Sequence, residues 1–366
     1  PVIGDIGSSM TAAAMTEPAK GPRPASSTPA TSVAFELSYI YNAPPVSSLV
    51  NQMSESLKVA VIGVGHLGKW HAEKYAASKD CELIAIVDSN LEAAQAMAEK
   101  LHCTAFSDYH EIIDHVDAVS LVVPTSLHYK IGHELLEAGI HCLIEKPITE
   151  TVEEARELIE IANSKNLVLQ VGHIERFNSV MVGLNEHLDN PQFIESTRLA
   201  PFTLRATDVS VILDLMIHDI DLILDLVNSP IRGVSASGIS VLSDTIDIAN
   251  ARLEFENNCV ANVTASRISQ KRERKLRLFQ KDCYLAADLQ NRHLAINSKG
   301  DTLNESGFKD IEHRGLDFED NDALNLEVLD FIDSIKSERP PLVTGQDGLR
   351  ALETAIKIID LITPQK

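Results

Sequence analysis

From Lys58 onward the chain alternates short apolar, β-branched runs with helical stretches of 10–14 residues, and this rhythm constrains its fold more than any other feature. KVAVIG (58–63), ELIAIVD (82–88), TAF (104–106), DAVSLVVP (117–124), HCLIEKP (141–147) and LVLQVG (167–172) read as strands. The stretches 67–78, 91–101, 126–139 and 151–164 read as helices, the last with Thr149 or Thr151 as N-cap. Buried strands joined by helices predict βαβ units in a parallel sheet. After residue 172 the rhythm changes. Helical stretches at 178–188 and 214–227 precede several strand-like runs between 231 and 290 with no helix among them. Such spacing predicts a hairpin-linked, mostly antiparallel sheet. Two helices, near 322–337 and 347–362, close the pattern.

Residues 1–52 differ in kind: they are rich in Ala, Ser, Thr and Pro and lack both periodicities. The expectation is a disordered leader, a tag or an upstream extension, with Met53 a natural start. The chain then divides into 53–172 and 173–366, with the boundary near 172.

The charge balance excludes whole classes of function. Lys plus Arg number 32 against 53 Asp plus Glu, a net charge of −21 at pH 7. So acidic a surface repels nucleic-acid backbones and anionic lipid, so neither nucleic acid nor membrane is expected as a partner. An anionic ligand must then be met by a local cluster of donors. Five cysteines form no C-x-x-C pair, no apolar run reaches about 18 residues, and no signal segment opens the chain. These traits predict a cytoplasmic protein.

Gly63-Val64-Gly65-His66-Leu67-Gly68 is a G-x-G-x-x-G motif placed between a strand and a helix. The first glycine allows a tight turn, the second lets backbone approach a pyrophosphate, and the third lets helix pack on strand. The helix N-terminus then faces the phosphates. Asp88 ends the second strand about 20 residues on, where a carboxylate accepts both ribose hydroxyls of NAD and repels a 2′-phosphate. The motif and Asp88 together predict a Rossmann domain that binds NAD. Glu145-Lys146-Pro147 ends the fifth strand, so Lys146 is either a surface charge or a group aimed at the reactive end of the cofactor. Asp214 and His218 are spaced i, i+4 in a strongly apolar stretch, as either a structural or a catalytic pair. Asp219 and Asp221 lie off that face and read as ordinary helix charges. No metal site is expected: His110 and His115 are five apart, off a common helical face, and His141 and Cys142 point to opposite sides of a strand. The basic run KRERKLR (271–277) reads as the solvated face of an edge strand.

GVGHLGKWH (63–71), the stretch 122–147 ending in EKP, VGHIERFN (171–178) and DLMIHDIDLIL (214–224) together resemble the glucose-fructose oxidoreductase/inositol dehydrogenase (Gfo/Idh/MocA) family. The resemblance runs from about Lys58 to the C-terminus. It implies a Rossmann domain followed by an α+β domain whose open-faced, mostly antiparallel sheet mediates oligomerisation, as a homodimer or homotetramer. It implies NAD held by Gly63, Gly65, His66, Leu67, Gly68, Asp88 and Glu145, with Thr125 and His128 lying along it. The catalytic group would be Lys146 at the reacting oxygen, His218 as acid/base and Asp214 assisting it. His71 matches a histidine near the mouth of the active site. GHIERFN resembles the G-H-x-E-R-F-N-P segment of UDP-N-acetylglucosamine 3-dehydrogenases, with Ser179 in place of the proline. That implies Arg176 and Asn178 as donors to an anionic nucleotide sugar. The resulting expectation is oxidation of a secondary hydroxyl, at C3 of a UDP-N-acetyl sugar. The alternatives are an inositol or free-sugar dehydrogenase of the same family, or an NAD-binding sensor without turnover.

Overall fold

The computed structural model describes residues 56–203, 209–303 and 305–363. The stretch 1–52, expected as a leader, lies outside them.

Six strands form the first sheet: β1 (Leu57–Ile62), β2 (Cys81–Val87), β3 (Thr104–Phe106), β4 (Ala118–Leu121), β5 (His141–Glu145) and β6 (Leu169–Gly172). All pairings are parallel, in the order β3-β2-β1-β4-β5-β6. The order reverses between β1 and β4, the switch point beyond which ligands bind in open α/β sheets. Val59, Ala60 and Val61 of β1 and all of β4 are buried, as strands covered on both faces must be. The helices are α1 (Gly68–Ala77), α2 (Leu91–Leu101), α3 (His128–Glu137) and α4 (Val152–Ser164). Thr151 caps α4 in a reciprocal capping box with Glu154, which settles the choice between Thr149 and Thr151.

A short helix α5 (Ser179–Asn185) follows, and then β7 (Phe193–Leu199) opens the second sheet. One π-helical turn (Ile212–Met216) runs into α6 (Ile217–Val227). The remaining strands are β8 (Ile231–Ile239), β9 (Ile248–Phe255), β10 (Val260–Ser266), β11 (Glu273–Gln280), β12 (Cys283–Asp288), β13 (His293–Leu303) and β14 (Lys309–Asp317). Their order is β14-β13-β12-β11-β7-β10-β9-β8, antiparallel except where β10 pairs with β7. One face of this sheet packs on α6; the other carries polar side chains such as Asn250, Arg252, Lys275 and Arg277. β11 is not the edge strand that its basic run suggested. It lies between β7 and β12, with Leu276 and Leu278 inward, Arg274 on that same side against Glu175, and Lys275 and Arg277 on the open face.

The terminal helices α7 (Ala323–Lys336) and α8 (Gly345–Ile362) do not stay with the second sheet, as a single division at 172 implies. Val328, Phe331 and Ile332 of α7 complete the core formed by Val59, Val61, Tyr75 and Ile86. Helix α8 places Leu349 and Leu352 in the core of the first sheet and Ala351, Ala355 and Ile358 in that of the second. Phe331→Ala is therefore expected to destabilise the NAD-binding region itself, by about 3–5 kcal/mol in urea unfolding. A loss below about 1 kcal/mol would show that α7 is not part of that core.

Candidate active site

The turn after β1 is built for close approach. Gly63 has φ +89°, and a Cβ there would meet Val122 O at 2.5 Å. A Cβ on Gly68 would meet Gly63 O at 1.8 Å, whereas Gly65 faces open space. Asp88 braces the turn: its Oδ2 accepts from Val64 N at 2.8 Å and its Oδ1 from Asn90 N at 2.9 Å. Helix α1 starts with no side-chain cap and no acidic residue in its first turn, so its N-terminal N–H groups remain for an anion. His66 and Leu67 are exposed beside it. These features fit a dinucleotide.

Lys146, just past the end of β5, crosses to the π-turn. Its Nζ donates to Asp214 O at 2.8 Å and lies 3.9 Å from the Asp214 carboxylate. The wider turn, in which Ile217 N–H donates back five residues to Ile212 O, alters the expected i, i+4 relation of Asp214 and His218. Asp214 engages Lys146, and among the described residues the buried His218 Nδ1 has no partner. The carboxylate expected to orient His218 thus serves the lysine instead. Burial, reinforced by the charges of Lys146 and Arg198, holds the His218 imidazole well below its ordinary range, so the ring is neutral. Its neighbour His173 meets it edge-on, with ring centroids 6.4 Å apart, and is itself fully buried with neither nitrogen paired. Sequence reasoning passed over His173. Its place directly after the fully buried strand β6 was the available signal.

Four further expectations are corrected. Arg176 is 7% exposed and closed in ion pairs: Nε and Nη2 donate to the Asp221 carboxylate at 2.6 and 2.8 Å, and Nη1 lies 2.6 Å from Asp225. It has no fork left for a substrate phosphate. Asn178 caps α5, its Oδ1 accepting from Val180 N at 3.0 Å and its Nδ2 directed at Leu289 O, so Ser179 starts the helix that a proline would have started. His71 is fully buried, with Nε2 3.2 Å from Glu145 Oε1 and Nδ1 3.3 Å from Ser120 Oγ, not at a mouth. His128 is 1% exposed, and its ring nitrogens lie 2.9 Å from Pro147 O and Val123 O. Carbonyls only accept, so the neutral ring that burial favours donates to one of them and pins the turn after Lys146.

Thr125 is half-buried at the start of a 3₁₀ turn (Thr125–Leu127). The carboxylate of Glu145, expected at the cofactor, turns to His71 and to the backbone N–H of Lys146, at 3.2 Å each. Asp219 and Asp221 are each 1% exposed and are not ordinary helix charges. Arg198 forks onto Asp219 (2.7 and 3.2 Å) and reaches Glu175 at 2.8 Å, where Arg274 joins at 3.1 Å. His71, Glu145 and Glu327 form the one group among the described residues with metal-ligand spacing, which the sequence spacing did not reveal.

Comparison with known proteins agrees with this architecture. A family model described as "Oxidoreductase family, NAD-binding Rossmann fold" matches residues 57–173, and a "GFO/IDH/MocA C-terminal domain" matches 183–283. The UDP-N-acetylglucosamine 3-dehydrogenase of Acidithiobacillus ferrooxidans is 39% identical over 303 residues, 82% of this chain and 96% of that protein. Its solved structure superposes with a TM-score of 0.78, covering 84% of this chain and 97% of that one. A myo-inositol 2-dehydrogenase of Thermotoga maritima is 28% identical, over 81% of this chain and 93% of its own length. Among the described residues, no helix is long and apolar enough to cross a membrane.

The buried geometry of Arg176 sets a test. Arg176→Ala leaves Asp221 buried without its partner and is expected to cost about 3–5 kcal/mol in urea unfolding. Unchanged stability with a raised KM for an anionic sugar would return the residue to substrate binding.

Proposed function

The chain belongs to the Gfo/Idh/MocA oxidoreductase family, and we propose that it oxidises the C3 hydroxyl of a UDP-N-acetyl sugar to the 3-keto sugar. It is an NAD-dependent sugar dehydrogenase in the broader sense. The narrower substrate rests on the 39%-identical relative that carries this activity. The observation that carries the chemistry is Lys146, held on Asp214, together with a His218 that burial and the nearby lysine charge keep neutral.

In this reading the Gly63–Gly68 turn and the uncapped end of α1 hold the pyrophosphate of NAD, and Asp88 holds its adenosine ribose. When bound, NAD accepts the hydride from the carbinol carbon. Lys146 donates a hydrogen bond to the reacting oxygen and stabilises negative charge as it develops there. His218 accepts the hydroxyl proton, which a neutral imidazole can do and an imidazolium cannot. Asp214, through its carbonyl and carboxylate, keeps the lysine ammonium in place. An intact acid/base pair favours turnover over a sensor role. Cytoplasmic location and assembly through the open sheet face complete the proposal.

Purified protein with NAD, offered UDP-N-acetylglucosamine, UDP-glucose, free sugars and inositols, tests the substrate by absorbance of reduced cofactor. Turnover of inositols alone would overturn the nucleotide-sugar reading. Lys146→Ala and His218→Ala are each expected to keep NAD binding and lose about 10²–10⁴-fold in kcat. Because burial lowers the His218 pKa, its base form persists through neutral pH, so the acid limb of kcat/KM is expected below about 6.5, the ordinary imidazole value. An acid limb above that value would remove His218 as the base. Asp88→Ala is expected to reduce the preference for NAD over NADP, measured as the ratio of kcat/KM values. An unaltered protein that already favours NADP would refute the role of Asp88.

A further inference from the structure

The carboxyl of Glu327, on α7, is fully buried, and neither of its oxygens has a hydrogen-bond partner among the described residues. A Glu327 oxygen, a Glu145 oxygen and a ring nitrogen of His71 lie within 4.8 Å of one another. The mechanism above makes no use of this group. A fully buried carboxyl this close to the largely buried Glu145 carboxylate does not ionise beside it unless a cation lies between them.

A His–Glu–Glu set is a reasonable donor set for a divalent metal. The surrounding hydrogen bonds argue against one. Burial keeps Tyr75 a phenol, and its O–H has no acceptor among the described residues other than Ser120 Oγ, at 2.7 Å. Ser120 then passes its own proton toward His71 Nδ1 at 3.3 Å. Glu145 can only accept, so His71 Nε2–H donates to its Oε1 at 3.2 Å. Both ring nitrogens are engaged, and no lone pair is left for a metal. The chain Tyr75–Ser120–His71 thus delivers one hydrogen bond to Glu145, and Glu327 faces the same carboxylate from the other helix.

We propose that Glu327 is a positioning residue for Lys146 that acts through Glu145, donating a hydrogen bond that holds the Glu145 carboxylate against the lysine backbone. Glu145 Oε2 already accepts from Lys146 N–H at 3.2 Å. Burial raises the Glu145 carboxyl, but the bond from His71 and the charge of Lys146 outweigh it, so Glu145 is the anion of the pair. Burial, then the charges of Glu145 and Asp330, push Glu327 well above the usual carboxyl range, so Glu327 keeps the proton. Strand β6 leaves room for the arrangement: a Cβ on Gly172 would meet Glu145 Cδ at 3.0 Å. Gln170, also on β6, fixes α7 by donating from Nε2 to the Glu327 carbonyl at 3.0 Å. A helix from the far end of the sequence thereby sets the position of the strand end that carries Lys146.

The inference rests on the role given to Lys146 above, and its test separates the two. Glu327→Met keeps volume without a donor, and Glu327→Gln keeps a donor without an ionisable proton. Glu327→Met is expected to lose about tenfold or more in kcat, with NAD affinity and sugar KM within about threefold of the unaltered protein. Glu327→Gln is expected to recover most of that loss, because its amide N–H also donates to Glu145. Infrared spectroscopy of the unaltered protein is expected to show a protonated-carboxyl stretch that Glu327→Gln lacks. Unchanged kcat in Glu327→Met would overturn the proposal, as would a Glu327→Gln variant no better than Glu327→Met. Absence of the infrared band, or a stoichiometric metal in the purified protein, would overturn it too. Should Glu327→Met fail to fold, the infrared band and the Glu327→Gln kinetics still decide. The infrared measurement needs no substrate, so a protein that turns over no UDP-sugar leaves this test standing.

Discussion

An ammonium group at the end of a buried parallel strand needs a partner, and much of the active site follows from how Lys146 finds one. The partner is the carbonyl of Asp214, presented at 2.8 Å by a π-turn at the start of α6. A regular helix would have placed the Asp214 carboxylate one turn below His218. The π-turn brings Asp214 to the lysine, while burial first, and the lysine charge added to it, keeps His218 neutral. One contact therefore sets the position of the cation, whose charge adds to what burial already imposes on the imidazole.

Beneath this contact lies a layer of buried charge. Arg198 and Arg176 each take an aspartate of α6, Asp219 and Asp221 respectively, with Glu175 shared between Arg198 and Arg274. Such pairs add little net stability over apolar packing, but breaking one leaves a charge buried alone. Their effect is geometric: they tie α6, which carries His218, to the segment after β6 and to β7. A guanidinium committed to that layer cannot also reach for a substrate phosphate. The segment GHIERFN thus acts through the scaffold at Arg176.

Features confined to one short stretch were legible in the sequence. The glycine turn, Asp88, the lysine after β5 and the six strands of the first sheet each depend on spacing within a few residues, and all stand where spacing put them. Destinations across the fold were not legible. Arg176 and His71 look like exposed donors until α6 and β5 are packed against them. The aspartates at 219, 221 and 225 did carry a signal. Three acids in a helix otherwise so apolar must be buried in part, and buried acids require buried arginines. Strand β14 escaped for the opposite reason: it is exposed along almost its whole length and shows no alternation to read.

The remaining question is how so acidic a chain admits an anionic cofactor, and helix termini answer it. Helix α4 carries Glu153 and Glu154 in its first turn and α8 carries Asp347, with Glu154 and Asp347 each folded back on the backbone in a capping box. Those carboxylates neutralise the positive end of the helix. Helix α1 has neither a side-chain cap nor an acidic first turn, although acidic residues outnumber basic ones 53 to 32 over the chain. Its partial positive charge stands open beside Gly65, where no side chain intrudes. The local field is thereby opposite in sign to the net charge of the protein. A pyrophosphate can then be held by backbone alone, without Lys146, which engages Asp214 instead.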